Sequence, residues 1–160
     1  MLTRTSITAL RLLLEIEREP GGSFASLKGI ADKLGESPTY LTKIARHLVR
    51  AGILRAQRGK TGGVILNRAP KEITLLAVVE ACQGTILGNY CQGANVLCET
   101  CALHQAGAEL HDAIIGVLSR WTLADFIRLT QLERELEQDE QPREIIVTWK
   151  DAAEERSGSK

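Results

Sequence analysis

Apolar side chains recur along the chain at the spacing of helices, and strong stop signals separate the stretches. Ile7, Leu10, Leu13 and Leu14 predict a first helix, which Pro20, Gly21 and Gly22 end. Leu27, Ile30, Ala31 and Leu34 predict a second and shorter one. Ser23 or Ser26 is its N-cap, and Gly35 suits the left-handed residue that closes a helix. Ser37 can cap a third helix and Pro38 can open it, so only the turn at Gly35 and Glu36 separates the two. Two short helices joined by a tight glycine turn read as helix-turn-helix.

The third helix has two unlike faces. Leu41, Ile44, Ala45, Leu48 and Val49 form an apolar stripe, while Thr39, Tyr40, Thr42, Lys43, Arg46, His47 and Arg50 lie opposite, with Ser37 at the start. Beyond it, Ile53 to Ala56 and Val64 to Leu66 are β-prone runs around a Gly-rich connection carrying Arg58 and Lys60, which predicts a hairpin. A hairpin directly after such a helix is the wing of a winged helix-turn-helix. In that arrangement the helix offers side chains to base edges and the wing holds phosphates. A Gly-rich loop could instead cradle a nucleotide phosphate, but the order here is strand-loop-strand and no Walker pattern is present.

Thr74 can cap a fourth helix through Leu76 and Val79 toward Cys82 and Gly84, and the periodicity then weakens. Leu103, Gly107, Leu110, Ile114, Val117 and Trp121 next alternate spacings of four and three, a heptad seam in which Gly107 would let a partner helix approach closely. A core helix of a monomer could carry the same stripe. Thr122 and Asp125 resemble a capping box that opens a last helix through Phe126 and Leu129. Ile145, Ile146, Val147 and Trp149 could form a short strand, and Glu154 to Lys160 read as a disordered tail. The expected fold is mainly α with a small β-hairpin wing: a winged helix-turn-helix domain plus a long dimerisation helix.

Charge changes the picture. The 160 residues carry 20 basic and 20 acidic side chains, a formal net charge of zero. Residues 28 to 71, however, hold 10 Lys and Arg against only Asp32 and Glu36, and residues 72 to 160 hold 7 against 15 acids. No acid occurs from Ser37 to Lys71, where an ordinary surface mixes signs. Double-stranded DNA is the expected partner. No apolar run approaches the ~20 residues that cross a bilayer, so no membrane partner is expected and the chain is placed in the cytoplasm.

Four cysteines in a reducing compartment point away from a disulfide framework. Three of them, with a histidine, make the motif C-x6-C-x2-C-x2-H: Cys91, Cys98, Cys101 and His104. Soft thiolates and an imidazole in a loop suit zinc or an iron–sulfur cluster. Cys82 sits in an apolar helical pattern and reads as a buried small side chain. No nucleophile–base pairing, HExxH or dinucleotide fingerprint occurs, so no enzyme is expected.

Tyr40, Leu41, Thr42, Lys43 and Ile44, then Leu48, Ala51, Gly52, Ile53 and Leu54, then Arg58, Gly59, Gly62 and Gly63, then Pro70, Glu72, Ile73 and Thr74 together resemble the Rrf family of regulators, the IscR, NsrR and RirA-like proteins. The resemblance runs from about the first helix to about Arg128. It implies a homodimeric winged-helix transcription factor, often one that senses an iron–sulfur cluster, 2Fe–2S or 4Fe–4S. Cys91, Cys98 and Cys101 stand where cluster-binding members carry three cysteines, and His104 stands where the IscR branch has a histidine. Two departures are that Cys98 and Cys101 are closer together than in those relatives, and that Ile7 occupies about the place of the NsrR branch's N-terminal acid. The implied organisation is a DNA-binding domain over 1–84, a cysteine-rich sensor loop over 85–104, dimerisation helices over 105–136 and an acidic tail over 137–160. The alternative is a zinc-stabilised winged-helix module whose basic patch meets an acidic protein partner.

Overall fold

The computed structural model of the chain describes residues 2–19, 23–59, 62–86 and 102–139. Its elements in order are α1 (Arg4–Glu17), α2 (Leu27–Leu34), α3 (Pro38–Arg50), β1 (Leu54–Gln57), β2 (Gly63–Leu66), a single 3-10 turn (Pro70–Glu72), α4 (Leu75–Gln83), α5 (Ala102–Arg120) and α6 (Leu123–Asp139). Two compact units divide the chain, Met1–Arg128 and Leu129–Lys160.

A reciprocal cap starts α1: the Ser6 N–H donates to the Thr3 hydroxyl at 3.2 Å, and the Thr3 N–H donates to the Ser6 hydroxyl at 2.9 Å. Its buried line is Ala9, Leu12, Leu13 and Ile16, and Ile7, expected on the inner face, is 49% exposed. The reason is rotational. Helix α1 packs against α3, α4 and β2, and a buried stripe at 9, 12, 13 and 16 leaves position 7 outside.

Ser26, of the two candidates, caps α2, accepting from the Gly29 N–H, and Gly35 closes it at φ 66°. Without a Cβ, Gly35 takes this left-handed turn at little cost, and α3 begins three residues later. The Ser37 hydroxyl accepts from the Tyr40 N–H at 3.2 Å, and Pro38 occupies the first turn, where it gives up no helical hydrogen bond. Ile30, Ala31, Leu41, Ile44, Ala45 and Leu48 pack with the α1 line into one buried core.

The hairpin pairs Leu54 with Leu66, Arg55 with Ile65, Ala56 with Val64 and Gln57 with Gly63. A feature absent from the sequence reading anchors it. Ala25, just ahead of α2, exchanges two backbone hydrogen bonds with Val64, at 2.8 and 3.0 Å, and so adds a third edge to the wing. Gly63 permits this approach, since a Cβ there would lie 2.3 Å from the Ala25 carbonyl oxygen. Across the same edge the Arg55 guanidinium lies over the Phe24 ring, 5.7 Å from its centroid.

Thr74 caps α4, its hydroxyl accepting from the Ala77 N–H at 3.1 Å, and Val78 and Val79 face the core. A second long-range backbone pairing ties α4 to the corner between α5 and α6. The Leu75 N–H donates to the Trp121 carbonyl and the Leu123 N–H to the Ile73 carbonyl, both at 2.8 Å. The Thr122 N–H and hydroxyl donate to the Asp125 carboxylate at 3.0 and 2.7 Å, which starts α6 as the Thr122 and Asp125 spacing suggested. The apolar run at 145–149 and the terminal tail lie outside the described residues.

Candidate nucleic-acid interface and metal ligands

Because α3 spends its apolar stripe on the core, its other face is left to solvent. Thr39, Lys43, Arg46 and Arg50 are exposed, while Tyr40, Thr42 and His47 are half-buried. A shallow concavity of about 730 Å³ runs along this face, lined by Ser37, Thr39, Tyr40, Thr42, Lys43 and Arg46. A second, of about 350 Å³, opens between α3 and the hairpin against Ala56 and Val64. Thr42 and Arg46 line both.

The ion pairs separate the cations into two groups. Arg4 pairs with Glu36 at 3.2 Å, Lys33 with Glu19 at 3.3 Å, Arg18 with Glu15, and Arg128 with Asp125 at 3.9 Å. Among the described residues, no acid pairs with Lys43, Arg46, Arg50 or Arg58. Two exposed cations of the basic stretch also make contacts within the chain. Arg55 covers Phe24, and the Arg68 guanidinium donates to the Ala51 carbonyl at 3.0 Å.

Two residues of the α3 face carry structural duties that helical spacing did not reveal. The Tyr40 hydroxyl donates to the Thr5 hydroxyl at 3.3 Å and its ring packs on the core, so it braces α3 against α1. The Thr42 hydroxyl turns back and donates to the Pro38 carbonyl at 2.7 Å. Lys60, at the hairpin tip, lies outside the described residues.

Of the four candidate metal ligands, Cys91, Cys98 and Cys101 lie outside the described residues. His104 stands half-buried in the first turn of α5. Cys82 is half-buried on α4 against the core, and burial pushes its thiol pKa up, the opposite of an activated thiolate. The chain entering the cysteine stretch is held to α4: the Ile86 N–H donates to the Glu80 carboxylate at 3.2 Å and the Gly84 N–H to the Glu80 carbonyl at 2.9 Å.

The expected seam of α5 is bare at its centre. Leu110 is 57% and Val117 46% exposed, whereas Gly107, Ile114 and Trp121 are half-buried; the side chain of Leu103 lies outside the described residues. Trp121 is occupied within the chain by Phe126, with ring centroids 5.7 Å apart. Beside the seam an apolar groove of about 940 Å³ is lined by Leu2, Ile86, Ala113, Ile114 and Val117.

The family model described as an iron-dependent transcriptional regulator, Rrf2, matches residues 2–129. The chain belongs to the Rrf2 family. The HTH-type transcriptional regulator NsrR of Halalkalibacterium halodurans is 30% identical over 130 residues, which are 79% of this chain and 89% of that relative. Among solved structures, CymR, the global cysteine regulator of B. subtilis, matches with a TM-score of 0.68 at 24% identity over 81% of this chain and 97% of its own. IscR of T. potens matches with a TM-score of 0.60 at 22% identity over 92% and 96%. The fold is thus the winged helix of Rrf2 regulators, and membership makes this chain a DNA-binding transcriptional regulator and not an enzyme. No helix among the described residues is long and apolar enough to cross a membrane.

Proposed function

We propose that this Rrf2 regulator binds a promoter operator as a homodimer in the cytoplasm, and that its affinity for DNA answers to an iron–sulfur cluster. The observation that carries the DNA-binding geometry is the acid-free outer face of α3, whose Lys43, Arg46 and Arg50 have no ion-pair partner among the described residues. A helix with free cations and hydroxyls beside a hairpin suits the major groove, with Arg58 and Lys60 directed to the phosphates. Two copies are supported by the exposed Leu110 and Val117 and the groove beside them, apolar surface that a second α5 would cover. A two-fold dimer would set two α3 helices about one DNA turn apart.

The donor set fits a cluster. Cys91, Cys98 and Cys101 are soft ligands in a segment between two helices, and His104 opens α5 at its edge. When bound, a cluster supplies a cross-link that iron supply, nitric oxide or oxidants can remove. What the chain contributes is the connection: Glu80 joins the entrance of the cysteine segment to α4, and α4 packs against α3. A hundredfold change in affinity requires about 2.7 kcal/mol of difference between two protein shapes. The same donors suit tetrahedral zinc, which makes the zinc-stabilised module the rival.

The test compares anaerobically purified protein with the variant Cys91→Ala/Cys98→Ala/Cys101→Ala. The wild type is expected to be coloured, to contain iron and sulfide, and to differ from the variant about a hundredfold in operator affinity. Equal iron content and equal affinity would sink the cluster switch, and colourless protein with stoichiometric zinc would establish the rival.

A further inference from the structure

Thr42 sits where two concavities meet on α3. It lines both the concavity along the helix and the one between helix and hairpin, so a base edge entering either meets it. Its hydroxyl hydrogen is already committed, donated to the Pro38 carbonyl at 2.7 Å. That bond closes back on a turn fixed by the Ser37 cap and by the proline itself, and so holds the side chain in one rotamer. A threonine held this way has no donor left for a base. What it keeps for a ligand is its methyl group and an oxygen that can only accept.

In the major groove only thymine presents a methyl group, at C5; the other base edges present donors and acceptors. We infer that Thr42 is a specificity-determining residue that recognises a thymine in each half-site through methyl-to-methyl contact. This deepens the proposed operator-binding role and rests on it. Arg46 lies one turn along α3 and shares both concavities, so the thymine neighbours the base pair that Arg46 contacts. The pairing has physical sense: a donor-only guanidinium reads guanine, and the methyl beside it gains apolar contact only from the C5 methyl of thymine.

The experiment needs no known operator. Duplexes selected by the full-length wild-type protein from a random pool supply the site, and each thymine in it is replaced in turn by uracil, which lacks only the methyl group. Uracil at one position per half-site is expected to weaken wild-type binding about fourfold per contact, the value of one buried methyl-sized group. Thr42→Ser, which keeps the hydroxyl and its bond to Pro38, is expected to bind the thymine and uracil duplexes equally. Thr42→Val, which keeps methyl groups and loses the hydroxyl, is expected to retain the discrimination. If no uracil position matters to the wild type, or if Thr42→Ser still discriminates, the inference is overturned. Loss of discrimination in Thr42→Val with retention in Thr42→Ser would assign the contact to the oxygen instead, and overturns it equally. Failure of the operator-binding role itself would look different, since the selection would then return no preferred sequence at all.

Discussion

Helices α3 and α5 are both amphipathic, yet they stand in opposite relations to the rest of the chain. In α3 every apolar residue of the stripe is buried or half-buried in the chain's own core, and what it presents to solvent is polar and cationic. In α5 part of the apolar seam is left bare, with Leu110 and Val117 about half exposed. The first helix is complete in one chain and offers charge to a polyanion. The second leaves apolar area exposed to water. Free energy would enter differently in the two cases: screened, salt-dependent attraction at α3, and, in the proposed dimer, removal of surface from water at α5. A stripe alone does not distinguish a core helix from an interface helix; whether the chain covers it does.

The largest expected effect comes from the α5 side. Leu110→Glu with Val117→Glu should leave the fold of the winged domain intact and yield a monomer by analytical ultracentrifugation. Operator affinity should then fall by well over tenfold, because only one half-site can be held at a time. Retained dimers would show that the bare seam has another occupant. On the α3 side, Arg46→Ala should cost about 1–3 kcal/mol at the base pair it reads, while Lys60→Ala should mainly reduce the slope of binding against log salt by about one. Competition assays over a salt series separate the two, and identical behaviour would break the division between helix and wing.

A smaller change tests how the wing is held. Gly63→Ala places a Cβ within 2.3 Å of the Ala25 carbonyl oxygen and should detach the hairpin edge, weakening DNA binding severalfold while thermal stability falls modestly. Unchanged binding would mean that the Ala25 anchor is dispensable. The smallest effect concerns the α6 cap. Hydrogen bonds from Thr122 hold the Asp125 carboxyl below its ordinary pKa, with Arg128 assisting. Since the folded pKa is lowered, the cap stabilises the protein above the unfolded value and fades as pH falls through the folded one. Asp125→Asn should therefore lower the melting temperature slightly at pH 7, and the gap from wild type should close below about pH 4.

What the sequence disclosed and what it withheld follow from locality. The caps at Ser26, Ser37 and Thr74 and the turn at Gly35 are decided by side chains within three residues of the groups they satisfy, and they were legible. The charge map was legible too, because it is additive along the chain. The Ala25–Val64 and Thr74–Thr122 bridges join segments roughly forty to fifty residues apart through backbone atoms, which leave no mark in residue type. The rotation of α1 went astray for a related reason. Ile7, Leu10 and Leu14 are as apolar as Leu12 and Leu13, and only the neighbours choose between the two arcs. At the candidate site, position on the outer face was readable. The commitments of Tyr40 to Thr5 and Arg68 to Ala51 were not, since each depends on where a second segment comes to rest, whereas that of Thr42 to Pro38 lies within α3 itself.

The bridge at the start of α4 has a mechanical consequence. Two backbone hydrogen bonds fix Ile73 and Leu75 to the α5–α6 corner, so the first turn of α4 is a fulcrum. Its far end, Gln83, lies about 12 Å away along the axis, next to the residues held by Glu80. Translating the helix would break both of these hydrogen bonds, whereas a tilt about Thr74 would keep them. A shift of about 2 Å at the Gly84 end would be a rotation of roughly ten degrees on that lever arm, against which α3 packs.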